Sequence, residues 1–194
     1  MTPLLEREFS LGKLSIYPDR PLHDLIEVEQ IHSNILVEYK GNGISDIKAD
    51  GIIIDPKQYP QKSIAIKTAD CLPILLIGDK VAFVHAGWRG LQNKILTSSL
   101  LKNLNIKEIY IGPFIKDFEV QHNFKVEFSD AKNFYQKSNK LYFDLKKEAI
   151  DQLKNSYTEA KIDISPICTL NNTAYNSYRR NKTKTRNWNI FHLN

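Results

Sequence analysis

The chain is sparing of the side chains that most often do chemistry. Its 194 residues include two cysteines, five histidines and one methionine. There is no CxxC pair and no HExxH stretch, so the two most familiar zinc signatures are missing. Two cysteines, Cys71 and Cys168, cannot make a disulfide scaffold and suit a reducing compartment. No window approaches the run of about 18 apolar residues that a membrane helix needs. The opening stretch MTPLLEREFS carries charge by position 6 and has no apolar core of the secretory kind. The expectation is a cytoplasmic protein with no membrane partner. Repeats and low-complexity linkers are also absent. A formal charge of +5 is a mild excess that permits an anionic ligand without requiring nucleic acid. The most basic stretch, SYRRNKTKTR, has Tyr178 as its one aromatic, so no nucleic-acid partner is expected.

What is present is a series of short apolar runs. EFSLGKLSIYP reads as one or two edge strands. LIEVEQIH alternates and reads as a half-buried strand that delivers His32, with NILVEY following as another. GIIID, SIAIKTA, EIYIGPF, DISPICTL and NWNIFHL read as further strands. CLPILLI and VAFVHA flank Gly78-Asp79 and read as a hairpin. Leu91, Ile95, Leu96, Leu100 and Leu104 recur at helical spacing, which predicts a helix over roughly 89–104. A second helix, capped by Ser129, is expected over 126–137. A third is expected from FDLKKEAIDQLKNSY, with Asp144 as N-cap and an apolar face of Leu145, Ala149, Ile150, Leu153 and Tyr157. Strands come in runs and outnumber helices. The fold class is therefore α+β, a single domain over 1–194 built as an α/β sandwich of mixed sheets flanked by helices.

Cys71 heads one arm of the hairpin and His85 lies near the end of the other. With His32 they make a borderline-soft set of two imidazoles and a thiol, suited to zinc or copper, and three protein ligands leave a fourth position open. Each residue also has a plain reading: a small core cysteine, a strand-capping histidine, a satisfied core histidine. Their polar company argues for chemistry. Asp70 precedes the cysteine, and Trp88 and Arg89 follow the histidine in an Ala-Gly-Trp-Arg-Gly turn that lets backbone approach a ligand. Arg89 at a helix start would favour an anion. Arg179 and Arg180, with Tyr178, are candidates for facing a phosphate or a flat ring. Without a metal, Cys71 and His85 make a nucleophile–base pair, with Asp70 or Gln30 as the group that orients the imidazole. A dyad does not require His32; a three-ligand metal site does.

The elements QIHSN, ADGIII, TADCLPILL, VAFVHAGWRGL, YIGPFI, FEV and CTLNNTAYNSYRR resemble the laccase-domain family. Its members are called polyphenol oxidase, purine nucleoside phosphorylase or peptidoglycan editing factor. The resemblance runs from about residue 28 to the C-terminus, and the ADCLP and HAGWRG pair is its most specific part. It implies an α/β sandwich and zinc held by His32, Cys71 and His85. It also implies phosphorolysis of adenosine, inosine or methylthioadenosine to the base and ribose 1-phosphate, with adenosine deamination in some members. The sequence departs from the family in lacking a Thr-Arg-x-Gly-Gly-x-Ser element before His32, and in carrying Lys184 where a Thr-Gly-Arg pattern has glycine.

The expected function is a zinc-dependent purine nucleoside phosphorylase, acting on nucleoside and phosphate as a monomer or homodimer. Cys71, His85 and Asp70 are the expected catalytic residues; Arg89, Trp88, Tyr178, Arg179 and Arg180 are the expected substrate contacts. Alternatives are a Cys/His hydrolase editing a peptidoglycan precursor, a weak copper-dependent polyphenol oxidase, and a non-catalytic partner-binding protein. A blue-copper site would consume two of the five histidines and leave three for an oxygen-reducing cluster that relies on imidazole, which argues against a multicopper oxidase.

Overall fold

The computed structural model describes residues 1–22, 24–121, 123–124 and 132–194. Its centre is the expected hairpin. Strands β6 (Leu72–Ile77) and β7 (Val81–Ala86) pair antiparallel and are buried along their whole length. A strand apolar on both faces needs cover on both faces. That requirement sets the layering.

The six-stranded sheet that holds the hairpin has the order β12–β8–β6–β7–β4–β3. Its other members are β3 (Val37–Glu38), β4 (Gly51–Ile54), β8 (Glu108–Ile111) and β12 (Lys161–Ile164). The two edge pairings are parallel and the inner ones antiparallel, so the sheet is mixed. One face carries Leu72, Ile74, Leu76, Ala82 and Val84 and packs on helices. The other carries Leu75, Ile77, Val81 and Phe83 and packs on a second sheet. That second sheet is wholly antiparallel, in the order β1–β2–β13–β5. It comprises β1 (Leu5–Phe9), β2 (Gly12–Tyr17), β5 (Ser63–Thr68) and β13 (Asn187–Leu193). The α+β sandwich expected from the sequence is thus a helix layer, a mixed sheet and an antiparallel sheet.

The long helix α3 (Leu145–Ser156) forms as its pattern dictates, with the Asp144 carboxylate accepting from Lys147 N–H at 2.8 Å. The 89–104 segment differs from expectation. It breaks into α1 (Trp88–Gln92), a 3₁₀ turn (Ile95–Thr97) and α2 (Ser99–Lys102). Lys94, left-handed at φ 58°, ends the first helix. Leu91, Ile95, Leu96 and Leu101 reach the core, whereas Leu100 is exposed.

Three other expectations are corrected. LIEVEQIH is not a strand; it touches neighbours through two isolated bridges, Ile26–Ile64 and Glu29–Lys48. The reason is visible at Gln30, whose side chain accepts from Lys67 N–H at 2.7 Å and donates to Lys67 O at 2.8 Å, satisfying both backbone groups of that β5 residue in place of a neighbouring strand. The expected 126–137 helix falls partly outside the described residues, Ser129 included. Its final four residues form β10 (Phe134–Lys137), which pairs with β11 (Lys140–Phe143). Ser138 and Asn139, both at positive φ, make the tight two-residue turn between them. A third strand, β9 (Phe118–Val120), completes this small sheet. DISPICTL leaves the sheet after Ile164, and Cys168 makes an isolated bridge to Phe114. No helix among the described residues is long and apolar enough to cross a membrane.

Candidate functional site

His85 owes its direction to strand periodicity. Alternation along β7 puts it on the face of Val81 and Phe83, at the end of the strand, where it is 3% exposed. Cys71 sits in the short connection from β5 to β6, and His32 in the loop that precedes β3. The ligand atoms of His32, Cys71 and His85 all lie within 4.8 Å of one another. The two imidazoles meet edge to face with centroids 4.7 Å apart. Gly87 closes the cluster from behind: a Cβ there would stand 3.0 Å from Cys71 Sγ and 3.4 Å from a His32 ring carbon. A side chain at this position would push Cys71 and His32 back by a few tenths of an ångström.

Behind the cluster lies Asp50, a fully buried carboxylate that sequence reading did not single out. Its Oδ1 accepts from His85 Nδ1 at 2.8 Å and from His32 N–H at 3.0 Å. Its Oδ2 accepts from the Ser33 hydroxyl at 2.8 Å, from Ile31 N–H at 3.3 Å and from Ser33 N–H. Burial would push this carboxyl up, but the bonds from His85 and Ser33 outweigh it and hold the group below its ordinary value. A cue was there: an acid between Ala49 and the apolar run GIII is an acid at a buried strand end, and such acids need donors.

The electrostatics of the thiol follow from the same crowding. Burial alone would push Cys71 up; the charge on His85, with hydrogen bonds from His32 and His85, overrides it and brings the thiol down to about 6. Against its own burial, the pairing with Cys71 and Asp50 lifts His85 to about 9. The protein groups by themselves therefore favour thiolate beside imidazolium at neutral pH. A thiolate with two imidazoles is also a fitting donor set for a borderline-soft divalent ion.

The cluster forms the floor of a cavity of about 620 Å³. The cavity brings together most of the residues expected from sequence: His32, Asp70, Cys71, His85, Trp88, Arg89, Tyr178 and Arg179. Arg89 is exposed and lies over the Trp88 ring, 4.5 Å from its centroid. Arg179 lies 4.8 Å over Phe118 and donates to Glu119 O at 2.8 Å. Tyr178 is 51% exposed at the rim, with Lys182 over its ring. Lys67, Phe118, Lys182 and Arg186 also line the cavity. Lys182 and Arg186 belong to the basic stretch already noted. Phe118 belongs to the FEV element of the family pattern, and Lys67 had no sequence signal.

Two expected residues do something else. Arg180 is not among the lining residues. Its guanidinium donates to Thr169 O, Leu170 O and Tyr175 O at 2.6–3.0 Å and so ties down the 169–175 loop. Asp70, left-handed at φ 94°, accepts from the Thr169 hydroxyl and from Arg179 N–H, each at 2.7 Å. Both of its oxygens hold the Cys71 turn to the segment bearing Arg179. The expected orienting partners of His85, Asp70 and Gln30, are engaged elsewhere; Asp50 makes that contact. Of the remaining histidines, His192 bonds Ser63 at the far end of β5, and His23 and His122 lie outside the described residues.

The family model of multi-copper polyphenol oxidoreductase laccase matches residues 15–193. A purine nucleoside phosphorylase of Aquifex aeolicus (strain VF5) is 34% identical over 164 residues, covering 81% of this chain and 77% of that protein. Purine nucleoside phosphorylase YfiH of Escherichia coli (strain K12) is 31% identical over 194 residues, covering 93% of this chain and 76% of its own length. In fold, the crystal structure of Bacillus licheniformis hypothetical protein YfiH matches with a TM-score of 0.77 at 22% identity, over 90% of this chain and 76% of that one.

Proposed function

The chain belongs to the multi-copper polyphenol oxidoreductase laccase family, and within it we propose that the protein is a zinc-dependent purine nucleoside phosphorylase. The observation that carries this reading is one cavity lined by a His/Cys/His cluster together with the cations Arg89, Arg179, Lys182 and Arg186 and the rings of Trp88, Phe118 and Tyr178. The relatives' names point the same way. Phosphorolysis joins phosphate to C1′ of the ribose and releases the base with the bonding pair of the glycosidic bond. The chain therefore has to hold an anion, hold a flat base and assist its departure.

Arg89 and Arg179 are the groups for the phosphate, with Lys182 and Arg186 adding positive field from the same side chain cluster. Trp88, Phe118 and Tyr178 supply faces for the purine. Asp70 fixes Cys71 and Arg179 relative to each other, so that floor and anion site keep their spacing. His32, Cys71 and His85 would hold zinc. A bound zinc supplies a Lewis acid and a water of lowered pKa. The same cavity is proposed to take adenosine, inosine or methylthioadenosine. Deamination of adenosine is a second reaction within its reach, and copper is an alternative occupant of the donor set.

A second reading has a specific observation behind it. Asp50, His85 and Cys71 stand in line as orienter, base and nucleophile, with the thiol already at about 6. This is the arrangement of a cysteine hydrolase, one form of which would edit a peptidoglycan precursor.

One preparation separates the two. Metal content and turnover of adenosine with phosphate are measured for the wild type and for His32→Ala, with adenine, inosine and hypoxanthine resolved by chromatography. The phosphorylase reading expects about one zinc per chain and phosphate-dependent adenine release, both lost in the variant. Absence of metal from the wild type, with turnover or thiol reactivity untouched by His32→Ala, rejects it in favour of the Cys71–His85 pair.

A further inference from the structure

Asp50 meets five donors. Two converge on Oδ1, the Nδ1 of His85 and the N–H of His32. Three converge on Oδ2, the N–H groups of Ile31 and Ser33 and the hydroxyl of Ser33. The three backbone groups come from consecutive residues, so the 31–33 backbone is wrapped around one carboxylate. Such a concave run of N–H groups is an anion nest, here filled by a side chain of the same protein. His32, in the middle, is left-handed at φ 61°, a conformation that costs free energy unless the surroundings hold it.

The chemistry of this contact is one-sided. An ionised carboxylate accepts at both oxygens and donates at neither. Because Oδ1 also takes the His32 N–H, the group that His85 presents to it has to be an N–H. When Nε2 gives up its proton to a metal ion, His85 is thereby left with its remaining proton on Nδ1 and its Nε2 lone pair free for the ion.

We propose that Asp50 is the positioning residue of the metal centre, one carboxylate that sets both the tautomer of His85 and the backbone of His32 so that two of the three ligands are aimed before an ion arrives. The proposal rests on the metal reading above and adds to it. It accounts for two ligands from distant parts of the sequence converging on one point. It also predicts that asparagine, although it matches in shape, is a poor substitute. Whichever way the amide is turned, its NH₂ faces donors: either His85 Nδ1–H and His32 N–H, or the N–H groups of Ile31 and Ser33. Asparagine therefore has to release His85 to its other tautomer or release the 31–33 backbone.

The test uses zinc itself and the full chain. Zinc affinity is measured by competition with a chromophoric chelator for wild type, Asp50→Asn and Ser33→Ala, alongside thermal melting of each metal-free protein. Long-range ¹H–¹⁵N spectra of the histidine rings report the His85 tautomer in the zinc-loaded wild type. Expected are an Nδ1–H tautomer in the wild type, an affinity about 10–100-fold lower in Asp50→Asn, and a loss of less than about threefold in Ser33→Ala, which keeps both contacts of Oδ1. An Nε2–H tautomer in the wild type overturns the proposal, and this measurement stands even if Asp50→Asn does not fold. Equal zinc affinity in a folded Asp50→Asn also overturns it. A wild type that binds no zinc defeats the metal reading itself, which separates that failure from this one.

Discussion

The floor and the mouth of the cavity are built on opposite principles. At the floor, Asp50 and His85 are buried, Cys71 is half-buried and His32 is exposed, and the Asp50 carboxylate ties His85 and the His32 backbone together. At the mouth, Arg89 is exposed and Tyr178 is half in water. The cations there lean on aromatic rings or on backbone carbonyls rather than on carboxylates. Lys67 is the exception, paired with Glu27 at 2.9 Å. Close packing of Cys71, His85 and Asp50 couples these groups, and the coupling favours thiolate beside imidazolium. A wet mouth keeps its charges weakly coupled and available to an incoming anion. On the proposed function, chemistry would lie at the hydrogen-bonded cluster and recognition at the exposed cations.

That contrast can be broken first at the floor. Cys71→Ala removes the thiolate and is expected to bring nucleoside turnover to assay background and zinc content to a small fraction of wild type, by elemental analysis on the same sample. Retained turnover with no zinc would show that the two ends do not divide the work in this way.

A pH experiment sharpens the electrostatic half. In chelator-treated protein the alkylation rate of Cys71 should rise with a midpoint near pH 6, since its value is depressed to about 6. The sign is that of an acid favoured in its charged form: thiolate persists above about 6 and is lost as pH falls through it. An ordinary cysteine titrates near 8.5. Zinc should block the reaction across the whole range.

The mouth should respond differently. Arg179→Ala is expected to raise the KM for phosphate by about tenfold, the scale of one charge-assisted hydrogen bond in a partly wet site, with kcat changed less. Raising the salt concentration should weaken phosphate binding in the wild type and weaken it less in the variant. The smallest effect belongs to Lys182→Ala, where a solvated cation over Tyr178 is lost; about a two- to threefold change in the same KM is expected.

Several of these features were readable in the chain itself. The Gly78-Asp79 turn between two apolar runs determined the hairpin, and the hairpin's unbroken burial demanded a cover on each side. Asp144 and a 3.6-residue pattern determined α3. The ADCLP and HAGWRG elements, with QIH, marked the three cluster residues through their family pattern. The expected 89–104 helix failed because its apolar spacing does not reveal that Lys94 turns left-handed; the same side chains reach the core from two short helices and a turn. LIEVEQIH failed as a strand because a side chain, Gln30, makes the bonds that a strand would have made.

The residues at the bottom of the site show where sequence stops. Periodicity sets which side of a strand His85 faces, and composition sets which groups can ligate or titrate. Both are local properties of covalent geometry and residue type. That Asp50 lies behind His85, that Arg180 turns to carbonyls while Arg179 turns to the cavity, and that Asp70 joins Cys71 to a segment over 100 residues away were decided only by the folded structure. The reason is physical: a buried polar group is satisfied by whichever donor the packing brings within about 3 Å, and packing is a property of the assembled layers, with no trace in the spacing of letters.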